Sequence, residues 1–285
     1  MQIFTDIDAL RRFLAERRKS NDRVALVPTM GNLHEGHFSL IAEARRNAET
    51  VVASVFVNPT QFGPNEDLAR YPRTPEQDAA GLQKHGCDAL FMPSVETMYP
   101  LGTEKGVCVR VPGLGEMLEG ASRPGHFDGV ATVVSKLFNL VQPDVAIFGA
   151  KDYQQLLVIR RFVRDLCFPV HIIGAPIHRE SSGLARSSRN QYLDAQQREQ
   201  ASTIYATLVW MRGQVLAGAE SLSAIEAAAA ERLNRAGFVT DYAVIRAQES
   251  LEVPESNSRN GLVALIAARL GSVRLIDNLE ISAAI

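Results

Sequence analysis

Along the first part of the chain, short and mainly apolar runs alternate with segments whose apolar positions recur at helical spacing. The runs are VALVP (24–28), VVASVFV (51–57), DALFMP (88–93), DVAIFG (144–149) and PVHIIGAPI (169–177). Between them lie helical patterns over about 36–48, 74–86, 129–141 and 153–166, the second opened by Thr74 as N-cap and Pro75 at the first helical position. An irregular Gly- and Pro-rich stretch separates the third run from the third helix. Strands that are apolar throughout are buried on both faces, and strands joined by helical crossovers run parallel. The pattern therefore predicts an α/β fold, a doubly wound, mainly parallel sheet.

Past GLARSSRN (183–190) the texture changes. Residues 194–237 are rich in Ala, Gln, Glu and Arg at helical spacing, with a plain AIEAAAAERL tract that reflects helix propensity. TDYAVIRA and NGLVALIAARLGSVRLIDNLE follow, and predict a small α+β piece with a hairpin turned near Gly271. The boundary is expected in the stretch 174–183, giving a domain over 1–178 and a smaller one over 179–285.

Composition narrows the function classes. The 285 residues are 46% hydrophobic and 22% charged with a formal net charge of −2, so the chain has the balance of an ordinary globular protein. No basic stripe advertises nucleic acid or an anionic membrane, and a tRNA-binding role is disfavoured. Cys87, Cys108 and Cys167 are irregularly spaced and support neither a disulfide framework nor a zinc knuckle, so a reducing, cytoplasmic setting is expected. The opening MQIFTDIDALRRFLAERRKS does not read as a secretory signal. The longest apolar run, 262–268, is too short to span a bilayer.

The chemistry lies where strands hand over to helices. PTMGNLHEGHFSL places His34 and His37 between Gly31 and Gly36 at such a handover, where unpaired N–H groups and the helix dipole favour an anion. The metalloprotease pattern requires histidines four apart on one helix, and His34-Glu35-Gly36-His37 does not supply it. Imidazoles there can donate to phosphate, or simply occupy a surface loop. Asn58 and Gln61 follow the second run and suit a hydroxyl or carboxylate, or a turn around Pro59. After the fourth run, Lys151 offers a phosphate charge, Asp152 a cap or metal contact, and Gln155 an amide one turn on. Ser187, Ser188 and Arg189 form a compact donor set that equally suits a helix cap.

Taken together, PTMGNLHEGH, FVNPTQF, YPRT, RPGHFDGVATVV, KDYQQ and GLARSSRN resemble the pantoate–β-alanine ligase family over essentially the whole chain. The first motif belongs to the wider HxGH nucleotidyltransferase superfamily, which includes class I aminoacyl-tRNA synthetases. The resemblance implies a Rossmann-like N-terminal domain, a smaller C-terminal domain that closes over the nucleotide, and a homodimer. It implies ATP and Mg²⁺, with pantoate and β-alanine as small-molecule substrates. Carried over, Met30, Gly31, Asn32, Leu33, His34, Glu35, Gly36 and His37 line the ATP site, with His34 and His37 on the phosphates and His37 as proton donor. Gln61 and Gln155 hold pantoate, and Gln61 also meets β-alanine. Gly149, Ala150, Lys151 and Asp152 meet the nucleotide, with Lys151 reaching the phosphates. His178 touches adenine through its backbone. Arg186, Ser187, Ser188 and Arg189 form a second phosphate loop, with Arg189 counted among the catalytic groups. Asp78 is a candidate metal ligand. Two positions depart from the family pattern: Ala150 replaces a longer polar side chain, and Arg186 a Met or Leu.

The implied reaction is AMP-forming: pantoate attacks ATP to give pantoyl adenylate and pyrophosphate, and β-alanine then displaces AMP. No enzyme nucleophile is needed, in keeping with the lack of a Ser/His/Asp or Cys/His arrangement. Two rivals are an adenylyltransferase of the same superfamily, which would want more cations in its acceptor site, and a non-catalytic nucleotide-binding protein, which need not keep His37, Lys151 and Arg189 together.

Overall fold

The computed structural model describes residues 1–64, 66–255 and 258–282. They divide into two compact units, 1–150 with 154–176, and 151–153 with 177–285. The division falls after Pro176, two residues before the expected one, and assigns Lys151–Tyr153 to the second unit.

In the first unit the elements run β1 (Gln2–Phe4), α1 (Ile7–Lys19), β2 (Val24–Thr29), α2 (Glu35–Asn47), β3 (Thr50–Val55), α3 (Pro75–Lys84), β4 (Ala89–Phe91), α4 (Val95–Met98), α5 (Glu119–Ser122), α6 (His126–Val141), β5 (Val145–Gly149), α7 (Tyr153–Asp165) and β6 (His171–Ala175). A one-turn 3-10 helix, Pro59–Gln61, follows β3. Among the described residues the six strands pair in the order β1-β4-β3-β2-β5-β6, every pairing parallel. Helices flank the sheet, which is the doubly wound arrangement expected from the apolar runs.

The alternation of side chains across a strand explains the runs. Ala25, Val27, Val51, Ala53, Val145 and Ile147 share one core with Leu40, Ile41 and Ala44 of α2 and Leu82 of α3. Their neighbours Val24, Leu26, Val52 and Ala146 are equally buried, so these strands lack the regular alternation of apolar and polar faces. Chain order reverses between β2 and β5, which lie side by side. Open α/β sheets bind ligands at such a reversal, beyond the carboxyl ends of the strands.

The second unit contains α8 (Ala195–Ala201), α9 (Thr203–Ala217), α10 (Leu222–Arg235), β7 (Val239–Ala247), β8 (Leu262–Leu270) and β9 (Val273–Ile281). The strands form an antiparallel sheet, β7-β8-β9, with the β8–β9 turn at Gly271 as expected. Helices α9 and α10 pack on it through a core that includes Leu208, Met211, Ile225, Leu233, Ile245, Ile266 and Leu275. No helix among the described residues is long and apolar enough to cross a membrane.

Candidate active site

The loop after β2 is shaped by two residues in the left-handed region, Gly31 (φ 84°) and Asn32 (φ 52°). A Cβ at Gly31 would lie 3.0 Å from both Asp78 Oδ2 and Val55 Cγ1, so conformation and space both require glycine. Asp78, on α3 and only 2% exposed, holds this loop. Its Oδ2 accepts from the Asn32 N–H (2.9 Å) and its Oδ1 from the Leu33 N–H (2.8 Å). The Thr74 hydroxyl also donates to Oδ1, at 3.1 Å. Thr74 is the N-cap residue of α3, as expected, but its side chain makes no cap hydrogen bond.

His34 is the N-cap of α2, and the two histidines form a reciprocal capping box. The Gly36 N–H donates to His34 Nδ1 (3.1 Å) and the His34 N–H donates to His37 Nδ1 (3.3 Å). A ring nitrogen that accepts carries no proton, so in the neutral rings the proton sits on Nε2 of each. The rings lie 4.2 Å apart, tilted by 41°. The local fold thus fixes two imidazole N–H donors at the positive end of a helix dipole, an arrangement suited to an anion.

Gln61 ends the 3-10 helix after β3 and is 7% exposed. Its Oε1 accepts from Asn58 Nδ2 (3.1 Å), and its Nε2 donates to the Met30 thioether (3.0 Å). The structure therefore brings Gln61 to the histidine loop. Asn58 is buried too, and its Oδ1 accepts from Tyr99 Oη at 2.7 Å and from the Thr60 hydroxyl at 3.1 Å. Gly149 closes β5, and the Ala150 N–H donates to Ala175 O (2.8 Å). Gln155 stands half-buried in the first turn of α7. Its neighbour Gln154 is buried and structural, donating to the carbonyls of Leu114 (2.8 Å) and Met117 (2.7 Å).

In the second unit, Lys151 Nζ lies 3.7 Å from Asp152 Oδ1. The Lys151 carbonyl accepts from Asn278 Nδ2 on β9 (2.9 Å). Tyr153 Oη lies 3.2 Å from both Gln248 O and Glu280 Oε1. The Arg186 N–H donates to His178 O (3.0 Å), closing the turn that presents residues 186–189. Ser187 caps a 3-10 helix, Ser188–Tyr192, by accepting from the Arg189 N–H at 3.3 Å. Beneath that turn Arg179 pairs through both of its terminal nitrogens with Asp277, at 2.6 and 3.0 Å. Asp277 is 5% exposed. Burial pushes its carboxyl above the usual range although Arg179 works against the rise.

Comparison with known proteins decides the family. The family model described as pantoate-beta-alanine ligase matches residues 2–280. The chain belongs to the pantoate–β-alanine ligase family. A pantothenate synthetase of Stenotrophomonas maltophilia (strain K279a) is 60% identical over 280 residues, 98% of this chain and 99% of that one. A solved pantothenate synthetase of Thermus thermophilus superposes with a TM-score of 0.92 at 48% identity, covering 99% of this chain and 100% of that one. The pantoate-beta-alanine ligase of Francisella tularensis, solved with beta-gamma ATP and β-alanine, has a TM-score of 0.80 at 33% identity, covering 100% and 99%. Membership makes the chain an ATP-dependent ligase of pantoate and β-alanine, the enzyme class that the motifs implied.

Against that background, three features escaped the sequence reading. Asp78 is named there as a metal candidate, yet both its oxygens hold the histidine loop. Among the described residues no group of three or more His, Cys, Asp or Glu side chains could hold a metal ion. The Arg179–Asp277 pair joins positions 98 residues apart, and no local pattern announces it. His126, within RPGHFDGVATVV, stands at the start of α6, and its Nδ1 meets the Gln61 carbonyl at 2.8 Å.

Proposed function

We propose that this ligase works through pantoyl adenylate, with the groups described above in the following roles. The pantoate carboxylate attacks the α-phosphorus of ATP and pyrophosphate leaves. The β-alanine amine then attacks the acyl carbon and AMP leaves. The observation that carries the reading is the histidine capping box, since it directs two Nε2–H donors from a helix N-terminus, where charge develops as pyrophosphate departs. His37 acts as the proton donor and His34 steadies the phosphates, over the loop 30–37. Lys151 and Arg189 add positive charge, with Gly149, Ala150, Asp152, His178 and Arg186–Ser188 completing the nucleotide contacts.

Gln61 receives pantoate, and later β-alanine, with Gln155 as the second amide for the acid. Its Nε2–H ends on a thioether, a weak acceptor that a substrate oxygen readily replaces. ATP and β-alanine are the ligand classes held by the Francisella tularensis relative. Mg²⁺ sites on nucleotides use one or two carboxylates plus phosphate oxygens, and Asp152, half-exposed in the loop after β5, fits that need. Bound there, the ion would neutralise phosphate charge. Asp78 is a loop anchor. The family resemblance extends the reading to a homodimer in a cytoplasmic setting.

Isotope exchange tests the route. With ATP, Mg²⁺ and pantoate alone, the enzyme is expected to exchange labelled pyrophosphate into ATP, and ¹⁸O in the pantoate carboxylate is expected to reach AMP after full turnover. Exchange that requires β-alanine, or AMP without label, excludes a free-standing adenylate. A dinucleotide-forming transferase gives neither signal.

A further inference from the structure

Gln61 is fixed at its side chain by Asn58 and Met30, and at its backbone by residues that the ligation chemistry above does not use. His126 is buried at the first position of α6, and its Nδ1 lies 2.8 Å from the Gln61 carbonyl oxygen. A carbonyl only accepts, so Nδ1 carries the proton and donates. The other ring nitrogen, Nε2, must then accept, and it does so from Arg123 Nη1 at 3.0 Å. Arg123 also reaches the same Gln61 carbonyl through Nη2, at 3.3 Å. The guanidinium is held in its plane by Glu66, whose two oxygens take Nε and Nη2, each at 2.6 Å. This two-point fork is the strong form of an arginine–carboxylate contact.

The series Glu66–Arg123–His126 thus has one direction and one end. A fixed cation donates to one side of a neutral ring, so the other side must be the donor, and that donor holds one carbonyl. The ordering is the reverse of the histidine loop, where both Nδ1 atoms accept. Burial first, and the adjacent Arg123 charge second, push the His126 imidazole down to about 4. The ring is therefore neutral at physiological pH. Glu66 stays charged because the Arg123 contacts outweigh the opposing effect of burial. The same short helix is also packed from below: a Cβ at Gly129 of α6 would lie 2.4 Å from Thr60 O and 2.7 Å from Gln61 N.

We propose that Glu66, Arg123 and His126 form a charge-anchored clamp that holds Gln61 in the orientation needed to receive pantoate. They are positioning residues, acting through Gln61. The proposal rests on Gln61 as the amide for the acid, and its test separates the two.

Four variants are compared by steady-state KM for pantoate and by ATP affinity: Gln61→Ala, His126→Phe, the double variant, and His126→Asn. Phenylalanine keeps the ring volume and removes both hydrogen bonds, while asparagine keeps a donor near the Nδ1 position. His126→Phe is expected to raise the pantoate KM about tenfold, the effect of losing one buried hydrogen bond, with ATP affinity within about twofold of the parent. The double variant is expected to be no worse than Gln61→Ala, because the two residues act on one contact. His126→Asn is expected to recover most of the loss.

If Gln61→Ala impairs pantoate use but His126→Phe does not, or if their effects simply add, the clamp is overturned and Gln61 keeps its role. Equal loss in the Phe and Asn variants overturns the hydrogen bond as the cause. If Gln61→Ala leaves pantoate use intact, the acid-pocket reading fails and the clamp fails with it. Should His126→Phe not fold, Arg123→Met carries the same comparison, with the same outcomes deciding.

Discussion

The anchoring of the histidine loop by Asp78 can be tested with an isosteric change, Asp78→Asn. In the parent, Oδ1 takes two donors, Leu33 N–H and the Thr74 hydroxyl, and Oδ2 takes one, Asn32 N–H. An asparagine keeps its oxygen where two donors converge, which turns its NH₂ toward the Asn32 N–H. The part-buried Asn32 N–H then loses its Asp78 acceptor, at roughly 1–3 kcal/mol, and the two surviving bonds lose their charge assistance, adding about 1 kcal/mol. The expected cost is therefore about 2–4 kcal/mol of stability. For a unit of this size each kcal/mol lowers the melting temperature by roughly 2–4 °C, so a drop of about 5–15 °C is expected. Thermal melts of parent and variant, with ATP affinity measured by calorimetry, provide the readout. Because the freed loop carries His34 and His37, ATP affinity is expected to fall as well, without a change in the Mg²⁺ concentration needed for half-maximal activity. An unchanged melting temperature with a sharply raised Mg²⁺ requirement would refute the reasoning and return Asp78 to the metal.

Two further predictions concern pH and buried charge. His126 has a folded pKa of about 4 against an ordinary 6.5, so between those values the unfolded chain binds the extra proton and stability falls as pH falls; the loss from this group reaches about 3 kcal/mol by pH 4, and a folded His126→Asn variant is expected to show a correspondingly flatter acid limb in urea denaturation. Arg179→Met strands the buried Asp277 carboxylate and is expected to cost about 3–5 kcal/mol at neutral pH. Since the carboxyl's folded pKa is then raised further above its unfolded value, the deficit is expected to shrink as pH is lowered, and a deficit constant with pH would contradict the assignment.

Much of the frame is legible in the sequence because it is set by local pattern. The apolar runs at 24–28, 51–57, 88–93 and 144–149 mark β2, β3, β4 and β5, since a parallel strand covered on both faces has no polar alternation; the run at 169–177 marks β6, an edge strand buried only at Ala175. Glycines flanking two histidines at a strand–helix junction mark the anion loop, because the conformation itself demands Gly31. The edge strand β1 is another matter: three residues, two of them exposed, carry no periodic signal. Partnerships across long stretches of chain are equally silent. Asp78 meets Leu33 across 45 residues and His126 meets Gln61 across 65, and neither carboxylate nor imidazole betrays its partner by spacing. Thr74 shows the limit within a single motif, where position indicates the helix start correctly while the hydroxyl serves Asp78.

The tether between Lys151 and Asn278 has a consequence for recombining relatives of this enzyme. An engineer who exchanges the second unit at the visible boundary, after Pro176, leaves Lys151–Tyr153 with the donor of the first piece. The carbonyl of Lys151 and the hydroxyl of Tyr153 would then face a β9 inherited from another parent, with whatever side chains that parent carries at positions 278 and 280. A crossover placed before Lys151 keeps the segment and its strand together, at the expense of a foreign α7. Inheritance of the lysine loop therefore follows a strand more than 120 residues downstream, and not the neighbouring residues of β5.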